Sequence, residues 1–382
     1  MGAYAKERAG ERIAALAGQG LDLPTFWRES TEAVAAAVPH YMSPCWFTLD
    51  PASLLVTSHY QAELFELPPE WMAQEYYEDD FHNLTSVVRS ERGVSTLHEA
   101  TGGNPSSSAR WHANMEYGGD QELLLALRTR AGEAWGVAGL YREPGQPQFD
   151  QEELEFLRAV STYLAEGARR GLLVGEAADP EGPGAPGLVV LNENWSVESL
   201  TPGTERWLGK LPDGDWDGQN RLPPSVLAVA GRALRTADGQ EVAGEVAVAR
   251  VLSRDGRWIV LHGASLVAGG ARRVAVIIEP AHPARITPLL IAAYGLTPRE
   301  EEVTRLVLQG DSTAQIADAL FVSPHTVQQH LKSVFEKTGV RSRRELVGKL
   351  FFSHYEPRLR DNERRIIAGQ PVRGGPVPRE AA

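Results

Sequence analysis

The sequence is poor in the features that mark secreted, membrane-spanning or catalytic chains. Its single cysteine, Cys45, stands alone in 382 residues, so no disulfide can close within the chain. No apolar run approaches the ~20 residues of a membrane-spanning helix. The N-terminal stretch "MGAYAKERAGERIAALAGQG" has no apolar core of signal-peptide length. These absences lead us to expect a cytoplasmic protein with no membrane contact. There is no Gly-x-Ser-x-Gly elbow and no His-Glu-x-x-His pair. "GTERWLGK" fails the phosphate-loop pattern, with five residues between its glycines and Leu211 after its lysine. Neither an enzyme nor a cofactor is expected.

Composition is otherwise that of a folded chain, 42% hydrophobic and 23% charged, and its length suits roughly two to three domains. A formal charge of −12 argues against nucleic acid, because binding DNA needs Lys and Arg to displace phosphate counterions. The distribution reverses that argument. Residues 1–298 carry 24 Lys+Arg against 39 Asp+Glu, whereas 299–382 carry 14 against 11. The basic footprint is local and C-terminal, with Lys332, Lys337, Arg341, Arg343, Arg344 and Lys349 close together.

The clearest linker is "GEAADPEGPGAPG", residues 175–187, whose Pro and Gly defeat both helix and ladder hydrogen bonds. Before it, Asp150 with Glu153 reads as a capping box and Phe149 with Leu154 as a hydrophobic staple. They open a helix with Phe156, Val160, Tyr163 and Leu164 on one face. Upstream, "ELLLALRTRAGEAWGVAGLYR" reads as two β runs around Arg130-Ala131-Gly132-Glu133, and "CWFTLD" and "LLVTS" as earlier strands. Hairpin, loop and final helix resemble a GAF domain over residues 22–174, after an N-terminal helical segment, 1–21. After the linker come two β runs around Asn192-Glu193-Asn194, a short helix through Trp207, a longer one from Val226 to Leu234, and three strands. That order resembles a PAS domain over residues 188–280. A second linker, 281–289, leads to a C-terminal module, 290–355, and a tail, 356–382.

The module carries repeated helix punctuation. Thr297 precedes Pro298 and Glu300, Ser312 precedes Gln315, and Ser342 precedes Glu345, each reading as a capping box. Ser323 before Pro324 makes a fourth start. Only Phe321-Val322 separates the second helix from the third, which suits a helix-turn-helix. On the third, Val327, Leu331, Val334 and Phe335 cluster on one side at about 100° per residue. The other side presents the adjacent neutral pair Gln328 and Gln329. A glutamine amide can both donate and accept, which is the bidentate pairing that reads adenine in the major groove.

The stretch "LTPREEEVTRLVLQGDSTAQIADALFVSPHTVQQHLKSVFEKTGVRSRRELVGKL" resembles the LuxR/NarL-type helix-turn-helix family. The resemblance rests on Leu296-Thr297, Arg299-Glu300, Glu302-Val303, Gly310, Ile316-Ala317, Leu320, Ser323, Thr326-Val327, His330, Lys337, Gly339-Val340 and Arg343. It implies a recognition helix that begins at Ser323, with base readers at Gln328, Gln329 and Lys332. It implies phosphate contacts from Thr313, Thr326, His330, Lys337, Arg341 and Arg343. Gln328 stands where many members have lysine, and a basic residue often found near Ala314 is missing; both departures bear on the operator sequence. On the fourth helix, Leu346, Leu350, Phe351 and Phe352 are dimerisation candidates. Leu346, Val347 and Leu350 suffice to cover the third and first helices, so the two phenylalanines suggest a second contact.

The expected fold class is α+β multidomain: antiparallel-sheet GAF-like and PAS-like domains, then an all-α, four-helix LuxR-type domain. The expected function is a one-component, sequence-specific transcriptional regulator. Its expected partners are operator DNA, an unidentified small-molecule ligand and a second copy, with RNA polymerase as a further candidate. Rival readings are a sigma-factor-like protein, which calls for a helical N-terminal half, and a ligand sensor whose C-terminal helices only dimerise. A phosphoacceptor receiver domain is excluded although Asp50 follows an apparent strand, because no lysine occurs between Lys6 and Lys210. "YYEDDFHN" reads as a solvated loop rather than a metal site, Cys45 as a buried strand residue, and haem through His59, His82, His98 or His112 is not expected.

Overall fold

The computed structural model describes residues 3–62, 69–78, 80, 82–173, 186–213, 221–240, 245–268, 271–281, 286, 289 and 292–354, apart from the side chains of residues 3, 69, 267, 268, 271 and 351–354. The chain forms two compact units, one from residues 1–174 and 182–280, the other chiefly from 281–382.

The first unit opens with α1 (Ala3–Gly18) and α2 (Leu23–Ala35). There follow β1 (Cys45–Leu49), β2 (Val56–Tyr60), α3 (Pro69–Tyr77), α4 (Leu84–Arg89), β3 (Val94–Thr96), α5 (Leu97–Ala100), α6 (Ala109–Glu116), β4 (Gln121–Arg128), β5 (Ala134–Arg142) and α7 (Gln151–Leu173). Its second half comprises β6 (Gly187–Leu191), β7 (Val197–Leu200), α8 (Thr204–Leu208), α9 (Pro224–Ala237), β8 (Val248–Leu252), β9 (Trp258–Ala268) and β10 (Ala271–Pro280). Each half holds a five-stranded antiparallel sheet, ordered β2-β1-β5-β4-β3 and β7-β6-β10-β9-β8. Counted within its own half, each sheet runs second, first, fifth, fourth, third.

The run Leu123–Leu127 is buried at every position because helices cover both faces of the first sheet. That is why β4 reads as a continuous apolar run rather than an alternation. Trp27 of α2 stacks on Trp46 of β1 at 4.8 Å on one of those faces. Helix α7 starts where Asp150 accepts from the Glu153 N–H at 2.8 Å and Glu153 returns the bond to the Asp150 N–H at 3.0 Å. Its buried stripe is wider than one face and centres on Leu157, Leu164 and Ala168. Tyr163 falls at the edge of that stripe and is 39% exposed, so it leaves the apolar face assigned to it from sequence.

The two halves share one apolar core. It runs from Phe47, Leu124 and Val137 through Met72 and Ala73 to Leu227, Val274 and Val276. Helices α3 and α9 meet backbone to backbone, and a Cβ on Gly231 would collide with the carbonyl oxygen of Ala73. Charged contacts rim this junction. Asp50 accepts from Arg250 Nε at 2.8 Å, Arg250 Nη2 at 2.5 Å and the Arg250 backbone N–H at 3.0 Å. The same carboxylate holds the turn after β1 by accepting from the Ala52 N–H at 3.0 Å. Arg89 pairs with Glu245 at 2.7 Å, and Asp238 accepts from Tyr77 at 3.0 Å and from Arg272 at 2.9 Å. The Pro/Gly linker at 175–187 lies mostly outside the described residues, but the halves it joins fold as one unit.

The segment read as a solvated loop is partly interior. Asp79 and Phe81 lie outside the described residues, but Asp80 accepts from the Ser108 hydroxyl at 2.9 Å and His82 is 1% exposed. His82 Nδ1 faces Glu122 at 3.2 Å and its Nε2 faces the Ser95 carbonyl at 3.1 Å. Arg110 grips Glu122 with Nε at 2.5 Å and Nη2 at 2.9 Å, and turns Nη1 to Glu75. Burial alone would raise the Glu122 carboxyl, but the Arg110 charge and the His82 bond bring it down to about 2. Glu75 goes the other way, because burial outweighs Arg110 and the Leu84 N–H. Cys45 is buried in β1, and burial pushes its thiol up to about 12.

Asp50→Ala leaves the mostly buried Arg250 guanidinium without its carboxylate and should cost the first unit about 3–5 kcal/mol, read as a lowered urea midpoint. Glu122 contributes stability that is present above its unfolded value of 4.5 and lost as pH falls toward about 2. An acid titration followed by circular dichroism should therefore show a weaker pH dependence over that window in Glu122→Gln.

Candidate nucleic-acid interface

The second unit contains α10 (Pro298–Leu308), α11 (Thr313–Leu320), α12 (Pro324–Thr338) and α13 (Arg343–His354). Capping chemistry sets each start. Thr297 and Glu300 exchange both bonds of a capping box, as do Ser312 and Gln315. Ser323 accepts from the Thr326 N–H at 3.1 Å. At the fourth start Ser342 accepts from the Glu345 N–H at 3.1 Å, but the Glu345 carboxylate reaches the Arg341 N–H at 2.8 Å, so half of the expected box is redirected by one residue.

Between α11 and α12 the chain turns at Phe321, whose φ of 54° is left-handed and whose side chain is 95% exposed. The Val322 N–H closes the turn on the Ala317 carbonyl at 3.0 Å. Val303, Ile316, Val327, Val334, Leu346 and Leu350 meet in the core of the module. Leu346 at 0% and Leu350 at 3% exposure are consumed by that core and offer no surface to a second copy, which removes them as direct dimer contacts. The side chains of Phe351 and Phe352 lie outside the described residues.

With Val327, Leu331 and Val334 turned inward, α12 leaves Gln328, Gln329 and Lys332 exposed together with His325. Thr326 and His330 flank them, half-buried. Arg341 is exposed, and Arg343 is half-buried with one guanidinium nitrogen, Nη2, buried and without a hydrogen-bond partner. Thr313 sits half-buried in the first turn of α11.

Glu300 fixes how α12 sits in the module. Only 4% exposed, it accepts from the Thr297 N–H at 2.7 Å, the Ser333 hydroxyl at 2.6 Å and the Lys337 ammonium at 2.6 Å. Burial would raise its carboxyl, yet Lys337, Ser333 and the Thr297 N–H together hold it below the ordinary value. Lys337, a phosphate candidate from sequence, therefore has its ammonium engaged inside the module. Two further cations brace the fold: Arg299 donates to the Leu320 carbonyl at 2.6 Å, and Lys349 to the Thr338 carbonyl at 2.8 Å, at the C-terminal end of α12. Sequence reading missed the task of Glu300 beyond its cap. It also missed the bond between Gln329 and His325, at 3.2 Å, although their spacing of four residues on one helix was visible.

Among the described residues no helix is long and apolar enough to cross a membrane, and no group of three or more His, Cys, Asp or Glu side chains could hold a metal ion.

Two capped helices joined through a left-handed turn, packed between a leading and a trailing helix, define a helix-turn-helix module. Residues 295–350 match the family of bacterial regulatory proteins described as the luxR family. The spore germination protein GerE of Bacillus subtilis is 42% identical over 55 residues, which are 14% of this chain and 74% of GerE. The chain belongs to the luxR family. Rv0890c of Mycobacterium tuberculosis, named as an HTH-type transcriptional regulator, is 56% identical over 52 residues, 14% of this chain. The chain spans about 6% of the length of that relative. The solved VqmA–ligand–DNA complex of Vibrio cholera is 17% identical over 44% of this chain and 83% of that one, with a TM-score of 0.22, a likeness too distant to bear on this chain's architecture.

Glu300→Ala should unseat α12 and cost the module about 1–3 kcal/mol. The contribution of Glu300 is present above its ordinary value of 4.5 and lost as pH falls below it. Thermal melts of the full chain at neutral pH and near pH 4 should thus show a smaller difference between variant and parent at the lower pH.

Proposed function

We propose that this chain is a one-component transcriptional regulator whose C-terminal module reads operator DNA with α12. The observation that carries this reading is the split of α12 into a buried apolar face and an exposed face with Gln328, Gln329 and Lys332 at its centre. Neutral amides discriminate between base edges, whereas attraction to DNA comes from cations. The three exposed residues are the base readers in this reading. Thr313, Thr326, His330, Arg341 and Arg343 face phosphates, and Lys337 contributes less because it is shared with Glu300. The basic excess of residues 299–382 in an otherwise acidic chain supports the same placement. RNA polymerase is the natural second partner, and a second copy would present two recognition helices to a palindromic site.

The first unit is the sensory part in this reading. Its two sheets share the strand order second, first, fifth, fourth, third, in keeping with a GAF-like half followed by a PAS-like half. It would bind a small molecule or pair with another copy, and pass the result to the DNA-binding module in the cytoplasm. The β-rich make-up of this unit disfavours the sigma-factor alternative.

Selection of bound duplexes from a random pool by the full chain should yield a defined operator. Gln329→Ala should cost about 1–3 kcal/mol on that operator and leave non-specific binding nearly unchanged. Arg341→Ala should instead weaken all sequences alike and lower the salt slope by about one unit. Equal loss on every sequence in Gln329→Ala would remove it from the readers, and failure of the parent chain to retain any duplex would overturn the whole reading.

A further inference from the structure

Helices α8 and α9 pack on one face of the second sheet, where a Cβ on Gly187 would meet Trp207 and one on Gly263 would meet Val229. Side chains alternate along a strand, so the neighbours of those glycines belong to the other face. The register sets Leu188 and Val190 of β6 beside Ile277 and Ala275 of β10, and these beside His262 and Ala264 of β9. Leu266 continues the β9 row opposite Arg273. Seven large apolar side chains stand exposed among the described residues, and the two of them that lie in strands, Leu266 and Ile277, are both on this face. Leu188 and Val190 beside them are half-buried. Contiguous exposed apolar surface of this kind marks an interaction site.

Charge selects the occupant. The basic groups on this face are already paired, Arg273 with Glu198 at 2.7 Å, His262 with Glu279 at 3.3 Å and Arg250 with Asp50 at 2.8 Å, so it gives phosphates no hold. The outward row of β10 reads Arg273, Ala275, Ile277, Glu279, positive and small at one end, large and negative at the other. That order is complementary to itself reversed. Turned end for end about Val276 onto a second copy, the row sets Arg273 against the partner's Glu279 and Ala275 against the partner's Ile277. The same turn sets Val190 of β6 against the partner's Leu188. Packed sheets keep their strands within about 30° of each other, which this register requires, and every contact occurs twice, as in the isologous interface of a two-fold dimer. We propose that a second copy of this chain seats on the outer face of the second sheet, through the β10 row from Arg273 to Glu279. The proposal rests on the reading in which the first unit pairs two copies, and it gives that pairing its surface. The DNA-binding module has none to spare in Leu346 and Leu350, which its own core consumes.

Sedimentation equilibrium of the full chain reads the monomer–dimer constant in the parent, in Ile277→Arg, Arg273→Glu and Glu279→Arg, and in an equimolar mixture of the last two. Circular dichroism and thermal melts control for folding. The parent should dimerise, and Ile277→Arg should keep its fold and weaken the dimer about tenfold or more, because it buries an unpaired charge. Arg273→Glu sets like charges against each other twice in the contact, as does Glu279→Arg, so each alone should weaken the dimer by about the same factor. Their mixture should recover it, because each variant supplies the sign that the other lacks. No loss of folding in a single chain can produce that recovery. Failure of the mixture to recover overturns the proposal, as does an Ile277→Arg chain that dimerises like the parent. An Ile277→Arg chain of unchanged mass but lower melting temperature also overturns it, and shows that a segment of the same chain covers the face. Should Ile277→Arg lose its fold, the mixture decides alone. A parent that stays monomeric at every concentration ends the pairing reading and this proposal with it, whereas a parent dimer that every variant retains removes only this surface.

Discussion

One buried carboxylate holds the DNA-binding module in its shape. Glu300 closes the cap of α10 and, from the same two oxygens, takes a hydroxyl and an ammonium from α12. A recognition helix is useful only if its exposed face is aimed, and the apolar contacts of Val327 and Val334 are non-directional. Hydrogen bonds to a charged, buried acceptor supply the direction that packing does not. The caps at Ser312 and Ser323 then fix where α11 and α12 begin. Phe321 takes the left-handed backbone of the α11 C-cap, which lets the Val322 N–H close on the Ala317 carbonyl.

Much of this was legible in the sequence, because its causes are local. A capping box is written within four residues, so Thr297 with Glu300 and Asp150 with Glu153 announce their helices without any tertiary knowledge. The inward and outward faces of α12 follow from helical periodicity alone, and the exposed positions of Gln328, Gln329 and Lys332 agree with it. The antiparallel sheets follow from β runs and turn residues in the same way.

What could not be read depends on partners far apart in the chain. His82 looks solvated in "YYEDDFHN" because the acceptors that bury it, Glu122 and the Ser95 carbonyl, come from other strands. Asp50 resembles a free acidic residue after a strand until Arg250, two hundred positions on, closes over it. Helical period puts Tyr163 on the apolar face, but which arc of α7 is buried depends on what packs against it. The redirected bond of Glu345 shows that even a local motif can slip by one residue when a neighbouring N–H is better placed.

The backbone contact between α3 and α9 bears on how such a chain could arise and be taken apart. In sequence the first unit resembles two interchangeable cassettes joined by a disposable Pro/Gly tether. In three dimensions the cassettes have surrendered their independence, because they share one apolar core, and Gly231 has no room for a side chain of its own against the Ala73 carbonyl. Exchanging either half for a homologous segment would expose the apolar side of the half that stayed.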